Sequence, residues 1–117
     1  MSAPTSPEAV VQRQLDAYNA HDLAAFVACY ADDAALWRMP ATAPAMTGRA
    51  ALAAFYGSER FNRPGLRADL VGRLVVGGKV IDHERIVGLD ETPREAIAVY
   101  AVGADGLIAT AWFFDAA

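Results

Sequence analysis

The fold of this chain is decided by the stretch LRADLVGRLVVGGKVIDHERIVGL, Leu66 to Leu89. On either side of Gly77-Gly78, apolar and polar residues alternate with the period of a β-strand. A glycine pair between two such runs favours a tight hairpin, because glycine adopts the positive φ angles that short turns require. The stretch therefore predicts two consecutive antiparallel strands.

The same pattern continues to the end of the chain. Two further strand-like runs follow, EAIAVYAV at 95–102 and LIATAWFF at 107–114. Short connections separate them from their neighbours, DETPR before the first and an Ala-Asp-Gly turn before the second. We therefore expect four strands joined as a meander.

The N-terminal half has helical spacing instead. Ser6, followed by a proline, is typical of a helix start, and the first helix is expected to reach about Asn19. Asp22 is expected to cap a second helix, and a third helix is expected at 49–57. The apolar stripe assigned to the second helix consists of Leu23, Phe26, Val27 and Tyr30.

Helices that precede an antiparallel meander predict an α+β fold, with three helices packed on a curved, mainly antiparallel sheet. Such a sheet forms a cone-shaped barrel with an open mouth, and pockets form where the helices meet its concave face. Residues 1–5 are expected to be a flexible tail. Residues 6–117 are expected to be a single domain, because a chain of 117 residues is long enough for one core only.

The composition argues against several classes of function. The net charge is −4 and Lys and Arg are not clustered, so nucleic acid is not an expected partner. Cys29 is the only cysteine, and His21 and His83 belong to no metal-binding motif, so neither a metal nor a cofactor is expected. The chain has neither a signal sequence nor an apolar stretch of bilayer length, which predicts a cytoplasmic protein with no membrane partner.

The segment NAHDLAAFVACYADDAAL at 19–36 resembles the nuclear transport factor 2-like superfamily, and within it the SnoaL-like and ketosteroid isomerase-like branch. Its most specific part is YADDA at 30–34, and the pair Gly48-Arg49 adds to the likeness. The resemblance implies a cone-shaped α+β barrel that usually forms a homodimer through its sheet. It does not fix the function, because this superfamily includes isomerases, hydrolases, cyclases and binding proteins.

The catalytic groups of the ketosteroid isomerases are absent at the matching positions. The base, the oxyanion tyrosine and the second oxyanion acid of that family are replaced by Arg38 or Met39, by Gln14 and by about Ala98. Two supporting tyrosines of the family do match, at Tyr30 and Tyr56. The resemblance therefore implies the scaffold, and steroid isomerase activity is not expected.

Limonene epoxide hydrolase-like members carry an arginine on the strand that contains the DHER segment, and Arg85 matches it. The aspartate two residues later is replaced by Val87, and the aspartate of the last strand by about Phe113. Alternate strand residues share a face, so His83 lies with Arg85, and the carboxylates of Asp82 and Glu84 lie opposite. The match of Arg85 implies that the His83 face is turned towards the pocket.

His83 is therefore the candidate acid or base, and Arg85 the candidate for holding developing negative charge. Alternatively, both side chains lie at the solvent-exposed mouth of the cone or on the side of the sheet that forms the dimer. The two carboxylates on the opposite face are expected to pair with Arg73, Arg94 or a second subunit.

The candidate ligand-binding residues are aromatic or small residues expected inside the cone. They are Tyr18, Tyr30, Trp37, Tyr56, Ala111 and Phe113. Core packing is the alternative for the tyrosines and for Trp37. The sequence thus predicts a protein that binds a small hydrophobic molecule with a polar handle and that acts, if it is an enzyme, as a cofactor-free isomerase, lyase or hydrolase. A non-catalytic binding or dimerisation module, with residues 82–85 at the subunit interface, is the alternative.

Overall fold

The structure, a computed structural model, describes residues 6–116, so the expected tail at 1–5 lies outside the described residues. Three helices and six strands form an α+β fold with a mainly antiparallel sheet, which confirms the predicted class. The helices are α1 Pro7–Asn19, α2 Leu23–Ala28 and α3 Arg49–Glu59. The strands are β1 Tyr30–Met39, β2 Met46–Thr47, β3 Arg67–Val76, β4 Lys79–Val87, β5 Arg94–Val102 and β6 Ile108–Asp115.

The first two helices begin at the predicted caps. The side chain of Ser6 accepts a hydrogen bond from the backbone N–H of Ala9 at 3.1 Å, and Asp22 accepts one from Ala25 at 3.1 Å. The assignment of Tyr30 to the second helix is wrong. Tyr30 begins β1 in register with Ile108, because sheet pairing takes over once α2 has ended.

The sheet has the order β2-β1-β6-β5-β4-β3, with β1 and β6 parallel and every other pair antiparallel. The predicted β3–β4 hairpin turns at Gly77, whose φ of 57° suits glycine. Helix α1 packs against β3, β4 and β5, which defines the inner face of the sheet; the other side is the outer face.

The core lies between the inner face and the helices. Its largest fully buried aromatic and leucine side chains are Phe26, Tyr30, Leu36 and Leu52. Among residues 6–116, no helix has both the length and the hydropathy needed to cross a bilayer.

Candidate functional site

Strand β4 turns its carboxylates, and not its histidine and arginine, towards the helices. Asp82 is 1% exposed and Glu84 is 9% exposed, whereas His83 and Arg85 are exposed. The predicted division of the four residues between two faces is confirmed, but the expected placement of His83 and Arg85 in the pocket is wrong. The physical reason is that α1 packs on the face that carries the carboxylates.

On the outer face, His83 and Arg85 lie beside carboxylates of the neighbouring strands. The imidazole of His83 pairs with Glu95, which is half-exposed like His83 itself. In the strand register Arg85 lies between Asp69 and Glu95. Neither side chain borders the cavity described next.

A cavity opens between the inner face of the sheet and the helices. The empty volume of the cavity, including its open mouth, is ≈ 620 Å³. The part that the centre of a water molecule can reach is only ≈ 60 Å³, so most of the cavity is narrow. The interior therefore suits a small, slender ligand. Ala96 and Ala98, which flank Glu84 and Asp82 in the register, line this cavity, and their small side chains leave it open.

Three of the six candidate ligand-binding residues line the cavity, namely Tyr18, Tyr56 and Phe113. Ala111 faces the same way as Phe113, but core side chains cover it completely. Tyr30 is also fully buried and does not line the cavity. The expectation that Ala111 and Tyr30 line the pocket is therefore wrong, because the core fills the narrow end of the cone.

Trp37 lies on the outer face, so its expected place in the pocket is wrong. Strand β1 runs beside β6 with Trp37 opposite Trp112 and Arg38 opposite Phe113. Because Phe113 points into the cavity, Arg38 does too, and Trp37 points away from it. A shift of one residue along a strand reverses the face, and the sequence alone did not fix this register.

Asp82 is held by an arginine of the neighbouring strand. Nε of Arg73 lies 2.6 Å from Oδ1 of Asp82, and a second guanidinium nitrogen lies 3.0 Å from Oδ2. Arg73 also donates to Oε1 of Gln12 on α1 at 2.9 Å. The expected pairing of this carboxylate with Arg73 is thus found, and its role is structural.

Glu84, in contrast, has no cationic partner. No Lys, Arg or His nitrogen of residues 6–116 lies within 4.0 Å of its carboxylate oxygens. Burial raises the pKa of Glu84 to about 7; the Asp82 carboxylate adds to the rise, while Arg73 and the Tyr100 hydroxyl act against it. A carboxyl group of this kind can give or take a proton at neutral pH.

Tyr18 and Tyr56 line the same cavity. Within the described part of the chain neither hydroxyl makes a hydrogen bond, whereas two other buried tyrosines donate to Gln14. Burial raises the pKa of Tyr18 above its ordinary value and that of Tyr56 to about 12, so both hydroxyls stay protonated and can donate. Tyr18, Tyr56 and Glu84 all line this one cavity.

Sequence reasoning missed Glu84 as a cavity residue. Each face of β4 carries β-branched residues beside ionisable ones, so hydrophobicity does not distinguish the faces. Ala96 and Ala98 on β5 were a usable signal, because small residues leave room for a neighbouring strand's longer side chain. Among residues 6–116, no group of three His, Cys, Asp or Glu residues is placed to hold a metal ion.

The fold and the site together define an α+β cone around a small interior cavity that carries an unpaired carboxyl group. The chain belongs to the SnoaL-like domain family, whose model matches residues 11–111. This family lies in the nuclear transport factor 2-like superfamily, so the resemblance drawn from the sequence is confirmed. No curated protein matches the chain.

Several solved structures share the fold. A SnoaL-like protein of unknown function from Burkholderia thailandensis has a TM-score of 0.80 and 22% identity, covering 98% of this chain and 100% of that one. An NTF2-like protein of unknown function from Mesorhizobium loti has a TM-score of 0.81 and 24% identity, covering 100% and 98%. A protein proposed to be a ketosteroid isomerase, from Kribbella flavida, has a TM-score of 0.80 and 21% identity, covering 95% and 78%. At these identities the likeness is one of fold alone.

Proposed function

We propose that this protein binds a small carbonyl compound in the interior cavity and moves a proton on it, with Glu84 as the base and acid. The observation that supports the proposal is a buried carboxyl group without a cationic partner, in a cavity that also holds two free tyrosine hydroxyls. Glu84 thus takes the role of acid or base that the sequence suggested for His83, and the tyrosines take the role of holding negative charge that it suggested for Arg85. The reaction class, a cofactor-free isomerase, is the one expected from the sequence.

The proposed chemistry is proton abstraction next to the carbonyl group. The Glu84 carboxylate takes a proton from the adjacent carbon, the C–H electron pair forms a C=C bond, and the carbonyl oxygen takes the negative charge. Tyr18 and Tyr56 donate hydrogen bonds to that oxygen. Protonated Glu84 then returns the proton to the same carbon or to another one, and return to another carbon is an isomerisation.

Hydrogen–deuterium exchange tests this step. Methyl propyl ketone, a slender neutral ketone, is incubated with the protein in D2O, and NMR follows deuterium entering beside the carbonyl group. We expect exchange above the buffer rate and a loss of about 100-fold in the catalysed rate in Glu84→Gln. Exchange at the buffer rate in the unmodified protein would contradict the proposal.

His83→Ala is the matched control, because His83 neighbours Glu84 in the chain but lies on the outer face. We expect this variant to keep the rate of the unmodified protein. If His83→Ala loses the activity while Glu84→Gln keeps it, the assignment made from the sequence is right and the one made from the cavity is wrong.

We also propose that the protein is a homodimer that pairs through the outer face of the sheet. This face exposes large apolar side chains, with Leu74 65% exposed, Val76 72%, Ile97 45% and Phe114 42%. The dimers implied by the superfamily resemblance also pack through the sheet, which favours a second copy as the occupant. The cytoplasmic location expected from the sequence stays a prediction.

A further inference from the structure

Arginines surround the mouth of the cavity. Arg38 at the end of β1, Arg60 after α3 and Arg94 at the start of β5 all line it. The guanidinium carbons of Arg38 and Arg60 lie 5.3 Å and 4.8 Å from the centroid of the Phe55 ring, so one aromatic side chain positions both groups. Three cations are thus collected at the entrance of a cavity that is otherwise mainly apolar.

Two of these cations lack a carboxylate partner. Arg94 pairs with Asp90 at 2.8 Å, but among residues 6–116 neither Arg38 nor Arg60 has a carboxylate oxygen within 4.0 Å. Burial lowers the pKa of Arg60, and the nearby positive charges of Arg38 and Arg94 lower it further. An anion bound at this place would relieve that repulsion.

The charge at the mouth suits a monoanion. Besides Glu84 deeper inside, Asp115 is the other acidic residue that lines the cavity. While Glu84 is protonated, Asp115 and Asp90 leave one positive charge of the three arginines uncompensated. A carboxylate carries one negative charge and matches the planar fork of an arginine, whereas a phosphate monoester carries nearly two charges. The mouth therefore fits a carboxylate better than a phosphate.

We propose that the small molecule taken by this cavity is a carboxylic acid, with its carboxylate bound by Arg38 and Arg60 and its carbon chain extending inwards to Glu84. This inference rests on the proposed function, since it names the class of carbonyl compound that the cavity takes. An oxo acid meets both requirements, because its carboxylate binds the arginines while its ketone reaches the tyrosine hydroxyls.

Levulinate and its neutral isostere levulinamide test the inference, because they differ only in the charged group. NMR shift titrations give the dissociation constant of each. We expect levulinate to bind about tenfold more tightly than levulinamide, the factor typical of a hydrogen bond to a charged group. Equal affinity of the two probes, or no binding of levulinate, would overturn the inference.

Arginine variants assign the preference to the mouth. We expect Arg38→Gln and Arg60→Gln each to reduce the preference for levulinate, and the double variant to abolish it. Arg13→Gln is the matched control, because Arg13 is an exposed arginine of α1 that does not line the cavity, so its loss should leave the preference unchanged. Arg38 is exposed, so its single variant is a fair test even if the double variant folds poorly. A preference that survives in Arg38→Gln and Arg60→Gln overturns the inference.

The outcome is separable from that of the proposed function, because methyl propyl ketone has no charged group. If Glu84 exchanges protons with that ketone but levulinate has no advantage over levulinamide, the carboxylate inference fails alone. If levulinate shows the arginine-dependent preference but the ketone exchanges at the buffer rate, the proton transfer fails and the anion site stands.

Discussion

Glu84 supplies a carboxyl group to a cavity whose expected acid is missing. The superfamily resemblance implies an acid near Ala98 on β5, where this chain has a methyl group. Glu84 comes from the adjacent strand and lies opposite Ala96, and it lines the cavity together with Ala96 and Ala98. A comparison position by position does not find Glu84, because it lies on a different strand from the position that the resemblance implies.

The raised pKa of Glu84 makes a prediction about stability. Because Glu84 binds its proton more tightly in the folded state, stability is lost as the pH rises from about 4.5, the ordinary value, to about 7. A shift of this size amounts to about 3 kcal/mol. We therefore expect the free energy of unfolding of Glu84→Gln, relative to that of the unmodified protein, to be up to about 3 kcal/mol higher at about pH 8 than at about pH 4.

Urea unfolding at both pH values measures this difference. A free-energy difference between Glu84→Gln and the unmodified protein that does not change with pH would show that Glu84 has an ordinary pKa.

At the scale of elements, the pair of Arg73 and Asp82 ties the β3–β4 hairpin to α1. The side chains of Arg73 and Asp82 are only 9% and 1% exposed, and Gln12 of α1 completes the network. Removing the charge of one partner of a buried ion pair leaves the other charge buried and uncompensated. We therefore expect Asp82→Asn to lower the free energy of unfolding by about 3 kcal/mol, measured by urea denaturation.

Asp69→Asn is the matched control for Asp82→Asn. Asp69 also pairs with an arginine, Arg67, but both side chains of that pair are largely solvent-exposed. Water screens such a pair, so the variant should change stability little. Equal losses in the two variants would contradict a special role for the buried pair.

The elements were predictable because their signals are local. Helix caps at Ser6 and Asp22 and the Gly77 hairpin depend on residues only a few positions apart. Which face of β4 meets the helices depends on packing against residues far away in the sequence. The alternation of residues therefore predicted that His83 and Arg85 share a face, but it could not determine whether that face is the inner or the outer one. The same limit applies to Trp37, whose face follows from the register of β1 beside β6.

At the scale of the whole molecule, the two faces of the sheet differ in character. The inner face carries the cavity, and the outer face carries exposed apolar side chains with His83 and Arg85 among them. Asp82 and Glu84 point inwards, so of residues 82–85 only His83 and Arg85 lie on the face proposed for the subunit interface.

The homodimer proposal predicts the effect of a charge on the outer face. We expect Ile97→Glu to shift the protein from dimer to monomer in analytical ultracentrifugation, since a carboxylate in an apolar interface lacks a partner. Ser58→Glu, which adds the same charge on α3, should leave the dimer intact. A dimer that persists in Ile97→Glu, or an unmodified protein that is already monomeric, would contradict pairing through this face.

The most direct test of the central claim is a carbon-13 NMR titration of the Glu84 carboxyl group, compared with the pH dependence of ketone exchange. We expect Glu84 to titrate at about pH 7 and the exchange rate to rise with pH through the same midpoint, because the carboxylate is the base. A Glu84 carboxyl that titrates near its ordinary value of 4.5, or an exchange rate that does not follow its titration, would contradict the account.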